Sequence, residues 1–129
     1  MQRRLATILV ADVVGYSRLM EAAEEITAAR LQACHQLMSK SVATADGRVF
    51  NRAGDAMLAE FASPINALRC AVQIRESMAV EDAQSTARLQ LRFGLHLADV
   101  MIAGDDLIGA TASISRRVSN KLRNPMRFM

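Results

Sequence analysis

The 129-residue sequence predicts an α+β fold of order β-α-β-β-α-β, with its helices on one face of a sheet. Three observations carry that expectation. Residues Leu5–Val13 form a near-continuous apolar run rich in Ile, Val and Thr, as a strand buried on both faces requires. Two short β-type runs flank Gly54-Asp55, the pattern of a hairpin. Apolar residues recur at helical spacing in two longer segments, one on each side of that hairpin.

Gly15 ends the first strand. From Ser17 to about Val42, Leu19, Ile26, Leu31, Leu37 and Met38 recur loosely, and alanines and Glu24/Glu25 support one long helix or two consecutive ones. Asp46-Gly47 signals a turn. Arg48–Arg52 is the next strand, Ala53-Gly54-Asp55 a tight connection and Ala56–Phe61 its hairpin partner. Ser63-Pro64 supplies an N-cap and a first-position proline to a helix striped by Ala67, Ala71, Ile74 and Met78 and ending near Val80. Glu81–Ala87 reads as a polar loop.

Leu89–Leu97 alternates as a strand, with Leu89, Leu91, Phe93, Leu95 and Leu97 on one face and Gln90, Arg92 and His96 on the other. Val100–Ala103 is expected as a separate short strand, Gly104-Asp105-Asp106 as a turn, and Ala110–Leu122 as a helix ended by Asn124-Pro125. The whole order is the ferredoxin-like split βαβ arrangement, in a single domain over residues 1–129. That arrangement hosts many functions and selects none.

Composition narrows the classes. Half the residues are hydrophobic and 22% are charged, which excludes a disordered chain. No apolar run reaches the roughly 20 residues that span a bilayer. The basic Met1–Arg4 start is followed by a run that stops at Asp12 without a small-residue cleavage site, so neither a signal peptide nor a membrane is expected and a cytoplasmic location is the default. Cys34 and Cys70 lie in helical patterns without metal-ligand spacing and are expected as buried thiols in a reducing compartment. Net charge is +3, with Arg116, Arg117, Lys121, Arg123 and Arg127 at the C-terminal end. Without interleaved aromatics these make no base-stacking platform, so no nucleic-acid partner is expected.

Two carboxylates stand out. Asp12 ends a hydrophobic strand, where a charge is costly unless paired. It could cap the next helix, form a buried ion pair, or bind a ligand. Asp55 sits at the hairpin turn, and could merely serve it. In a split βαβ sheet the first strand lies beside the hairpin, so the two carboxylates can meet and hold Mg²⁺ with its oxygen-ligand preference, or two ions for in-line attack on phosphate. Gly15-Tyr16-Ser17 places a bend and a helix start beside them, where main-chain N–H groups can hold phosphate oxygens.

The segment Ala11-Asp12-Val13-Val14-Gly15-Tyr16-Ser17-Arg18-Leu19-Met20 resembles the opening motif of class III adenylate and guanylate cyclases, in a bacterial branch. Gly47–Phe61 is similar to the second motif, Pro64–Ile74 to the helix after it, and Arg92–His96 and Gly104–Gly109 continue in the family's order. The resemblance implies conversion of ATP or GTP to a 3′,5′-cyclic nucleotide and pyrophosphate, in intracellular signal transduction. It implies two Mg²⁺ or Mn²⁺ ions on Asp12 and Asp55, with the Val13 carbonyl completing the metal site, and nucleotide contacts from Gly15, Tyr16 and Ser17. It also implies a site shared between two domains of a dimer, either a homodimer or a pairing with another cyclase domain.

Departures fall on the other half of that site. The base-reading positions hold Asn51, where lysine is usual, and Asp106. The transition-state positions hold Ser113, where asparagine is usual, and Arg117 four residues on. Arg117 can neutralise phosphate charge, though it could equally be solvated among basic neighbours. Ser113 is too short to replace an asparagine amide, a loss that typically costs about 10²–10³ in rate. The family's C-terminal strands are expected to be missing, exposing a sheet edge that another chain would cover. The sequence thus predicts a cyclase-type domain whose turnover is reduced or lost, or else an inactive dimerisation or regulatory module.

Overall fold

The computed structural model describes residues 2–83, 88–103 and 106–108. Its elements are β1 (Gln2–Val13), α1 (Tyr16–Ala22), α2 (Glu24–Thr44), β2 (Arg48–Ala53), β3 (Ala56–Phe61), α3 (Pro64–Ala83), β4 (Leu91–Ala103) and β5 (Asp106–Ile108). All pairings are antiparallel and the strand order is β2-β3-β1-β4-β5. The first four strands therefore take the ferredoxin-like order, with β1 at the centre.

Central position explains the composition of β1. Bonded on both edges and covered on both faces, Ala6 through Val13 are all buried, as its near-unbroken apolar run requires. Leu9, Ala11 and Val13 face the helices, joined by Met57, Ala59 and Phe61 of β3. Cys34, Met38 and Val42 of α2 and Ala67, Cys70, Ile74 and Met78 of α3 complete this core. Ala6, Ile8, Val10, Ala56 and Leu58 form a second cluster on the opposite face. Both cysteines are buried and outside any disulfide, and burial pushes the Cys70 thiol up to about 11.

The first helical segment is two helices, broken at Ala23. The Thr27 hydroxyl donates to the Leu19 carbonyl at 3.0 Å, satisfying a C-terminal carbonyl of α1. Glu24 and Glu25 occupy the first turn of α2, where negative charge suits the helix dipole. That helix ends in a Schellman motif: Gly47 N donates to Val42 O at 2.8 Å and Asp46 N to Ala43 O at 3.1 Å. Asp46, not Gly47, takes the left-handed conformation, at φ 59°. Glycine at 47 answers a different need, since a Cβ there would lie 2.3 Å from Cε2 of the buried Phe61 ring.

The hairpin turn is Gly54-Asp55, closed by the Ala53–Ala56 pair. Gly54 has φ 61° and Asp55 no positive φ, the type II′ pattern that puts glycine first. The register shifts between Val49 and Asn51, leaving Phe50 as a bulge on the edge strand. Glu60 ties that edge inward: it is buried and accepts from Arg48 Nε at 2.8 Å, and Arg4 pairs with it from β1.

Three expected boundaries differ. Helix α3 continues through Glu81–Ala83, where the sequence suggested a loop, because Glu and Ala are good helix formers and nothing there interrupts them. One strand, β4, replaces the two expected, because β1 reaches back to Gln2 and supplies partners for Ala98 and Asp99. Asp106 begins β5, opposite Ala103, instead of lying in a turn. The leucine face of β4 is shared as expected, since Leu95 pairs with Leu9 and Leu97 with Thr7, but both leucines stay exposed. The expected helix Ala110–Leu122 and its Asn124-Pro125 stop lie outside the described residues.

Replacing Gly47 with alanine should destabilise the fold by about 1–3 kcal/mol, the usual cost of overpacking a core. Urea denaturation of the variant against the parent measures it.

Candidate functional site

At the end of β1 the side chain of Asp12 points away from the helices and is 1% exposed. Its cross-strand neighbour is Arg92 of β4, whose Nε donates to Asp12 Oδ1 at 2.9 Å. Asp12 Oδ2 is also buried, yet accepts no hydrogen bond among the described residues. Burial raises the Asp12 pKa above the usual carboxylate value. The Arg92 hydrogen bond and charge oppose that rise, and the nearby Asp55 charge adds to it.

Asp55 reaches the same place from the hairpin. Its Oδ2 accepts from the Val13 main-chain N–H at 2.8 Å, so one carboxylate is gripped by the residue that follows the other. A groove of about 630 Å³ opens over this junction, lined by Val13, Val14, Gly15, Tyr16, Ser17, Arg18, Glu21, Asp55 and Arg92. Gly15 has φ 64° and caps α1 with its carbonyl, which accepts from Leu19 N at 3.0 Å. Asp12 therefore does not cap the helix.

The structure thus brings together Asp12, Val13, Gly15, Tyr16, Ser17 and Asp55. Asn51 lies apart from the groove: it pairs with Leu58, and Leu58 with Val10, which sets it two strands out on the face that carries Asp12. Its Oδ1 accepts from Arg52 N at 2.7 Å. Asp106 is at the other end of the sheet. It pairs with Ala103 beside Ile102, and Ile102 pairs with Gln2, ten residues before Asp12 in β1. At strand rise that is about 34 Å. Ser113 and Arg117 lie outside the described residues.

Two participants were not found from sequence. Arg92 alternates onto the polar face of its strand, but nothing local names a partner 80 residues away; only the β1–β4 register does. His35 sits mid-helix in α2, and its Nε2 lies 3.1 Å from the Asp55 main-chain carbonyl, an acceptor that leaves no trace in sequence.

The donor set is hard oxygen, with one buried carboxylate oxygen left unpartnered beside a second carboxylate. That set suits Mg²⁺ or Mn²⁺ held by few protein ligands, and not a soft-metal cage. Among the described residues no cluster of three or more His, Cys, Asp or Glu side chains occurs.

No protein-family model matches the chain. "Putative adenylate cyclase 3" of Rhizobium meliloti (strain 1021) is 41% identical over 120 residues, 91% of this chain and 20% of that protein. The crystal structure of an adenylate/guanylate cyclase/hydrolase from Silicibacter pomeroyi is 34% identical, with a TM-score of 0.76 over 90% of this chain and 69% of that one. The chain belongs to the class III adenylate/guanylate cyclase family. The guanylate cyclase domain of RhGC from Catenaria anguillulae, solved in complex with GTP, shares the fold at 17% identity and a TM-score of 0.74, over 91% of this chain and 73% of that one. This cyclase-family chain spans a fifth or less of the length of the curated relatives it matches. No helix among its described residues is long and apolar enough to cross a membrane.

Replacing Arg92 with methionine keeps the volume but strands the Asp12 carboxylate. A loss of about 3–5 kcal/mol is expected at pH 7. With its cation gone, Asp12 has a folded-state pKa still further above the unfolded value, so protonation favours the folded form. The deficit should shrink as pH falls from neutral through the folded pKa toward 4. Chemical denaturation at several pH values reads both effects.

Proposed function

We propose that the chain is a nucleotidyl cyclase domain of the two-metal type, acting on ATP or GTP. The ribose 3′-oxygen attacks the α-phosphorus and pyrophosphate leaves, giving the 3′,5′-cyclic nucleotide for intracellular signalling. The observation that carries this reading is the convergence of Asp12 and Asp55 with a buried, unpartnered Asp12 oxygen. Family membership supports it, and two buried cysteines outside any disulfide suit a cytoplasmic setting.

Asp12, Asp55 and the Val13 carbonyl would hold two Mg²⁺ or Mn²⁺ ions. Bound there, the ions supply charge neutralisation at the phosphates and activation of the attacking hydroxyl. The chain's own contribution is placement. The Val13 N–H fixes Asp55 against β1, and Arg92 lines the groove with a cation able to face phosphate oxygens. Gly15, Tyr16 and Ser17 line the same groove and would contact the triphosphate. Little covalent work remains for the protein, as is usual in phosphoryl chemistry.

Asn51 and Asp106 would read the purine, and Ser113 and Arg117 would steady the transition state, from the second chain of a dimer. The separation of Asp106 from Asp12 along the sheet supports this division, since Asp106 does not reach the metal carboxylates of its own chain. Ser113 in place of the family's asparagine and Asn51 in place of its lysine favour a second reading: a non-catalytic module that pairs with another cyclase domain.

Incubating the pure protein with Mn²⁺ and ATP or GTP should yield cyclic product, and Asp12→Ala or Asp55→Ala should lower the rate about 10²-fold or more. Absence of product, together with Mn²⁺ affinity unchanged in Asp12→Ala, would count against catalysis. Sedimentation should show dimers at high concentration; a strict monomer would sink the pairing module.

A further inference from the structure

We infer that His35 of α2 is the positioning residue for Asp55, fixing the hairpin turn through its main chain; this rests on the metal-site reading above. His35 Nε2 lies 3.1 Å from the Asp55 carbonyl oxygen. A carbonyl accepts only, so Nε2 is the donor, and the ring carries its proton there.

Asp55 is thereby held twice. Its side chain is gripped by the Val13 N–H and its main chain by His35, from two different elements. The need for the second grip follows from the turn itself. A two-residue II′ loop is closed by the Ala53–Ala56 pair, and its glycine has no side chain to restrict it. The hairpin's outer strand β2 is the sheet edge, already irregular at Phe50. Without the His35 contact, the main chain of Asp55 would share more of the mobility of a hairpin tip. Groups that orient a metal ligand without touching the metal commonly control affinity about 10–100-fold.

Surroundings make the contact separable from stability. The half-buried His35 ring lines an open groove of about 620 Å³ with Gln32, Gln36, Ser39, Arg52 and Gly54. Truncation therefore opens space to water and leaves no sealed cavity in the core. Arg52 donates to Ser39 Oγ at 3.1 Å across the same groove, so hairpin and helix stay joined when the histidine is removed.

The test uses the full chain and Mn²⁺ alone, with affinity read by electron paramagnetic resonance. His35→Ala should bind Mn²⁺ about tenfold more weakly with an unchanged melting temperature. His35→Gln, which restores an amide donor, should recover most of that loss. Wild-type affinity in His35→Ala, with binding lost in Asp55→Asn, would overturn the positioning role and leave the metal site standing. Equal weakness in the Ala and Gln variants would overturn the donor role. If the parent protein binds no Mn²⁺, the metal-site reading falls. Hydrogen exchange at the amides of residues 54–57 then decides for the turn: about tenfold faster exchange in His35→Ala upholds the grip, and unchanged exchange removes it.

Discussion

Everything at the candidate site follows from burying a carboxylate at the end of the central strand. Asp12 is 1% exposed, and a charge so placed persists only with compensation. Arg92 gives it, from the directly opposite position on β4, and engages one oxygen while leaving the other without a partner. The pair is thus half-satisfied. A purely structural ion pair gains by filling both oxygens, whereas a site that must accept a cation gains by keeping one open. Two of the three readings of Asp12 that the sequence left open, ion pair and ligand-binding group, are therefore compatible in one side chain.

A second constraint acts on the hairpin. Asp55 is only half-buried, and lies on a two-residue turn of the sheet. Its placement comes from two main-chain hydrogen bonds, one made by its side chain and one by its carbonyl, to elements far apart in sequence. Rigid strand and gripped turn together fix the separation of the carboxylates. Burial is the main cause of the raised Asp12 pKa, and repulsion from the nearby Asp55 charge adds a smaller part. In the proposed function a divalent cation bound between the two carboxylates would offset that repulsion.

Local chemistry made much of this legible. The apolar run of β1, the Gly-Asp turn and the Ser63-Pro64 start of α3 depend on neighbours in sequence, and each was found where the residues indicate. Ser63 does act as the cap, with its Oγ 3.4 Å from the Asn66 amide. What escaped depends on distant partners. Ala98-Asp99 reads as a break until β1 supplies Ala6 and Leu5 opposite them. Arg92 and His35 are ordinary polar residues until register and helix packing bring Asp12 and the Asp55 carbonyl to them. In α2 the loose spacing put Ile26 on the buried stripe, yet it is exposed and Thr27 is buried in its stead, because the break at Ala23 resets the helix face.

The bulge at Phe50 has a consequence that is a matter of odd and even. Val49 stands opposite Ala59, so a regular ladder would set Asn51 opposite Met57, on the helix side. One extra residue moves Asn51 opposite Leu58 and sends it to the Asp12 side, and it delivers Arg52 to the helix side, where it meets Ser39. The candidate base-reading residue owes its side of the sheet to a miscount of one. Deleting a single residue between Val49 and Asn51 would return the ladder to even step, or else shift the turn that carries Asp55.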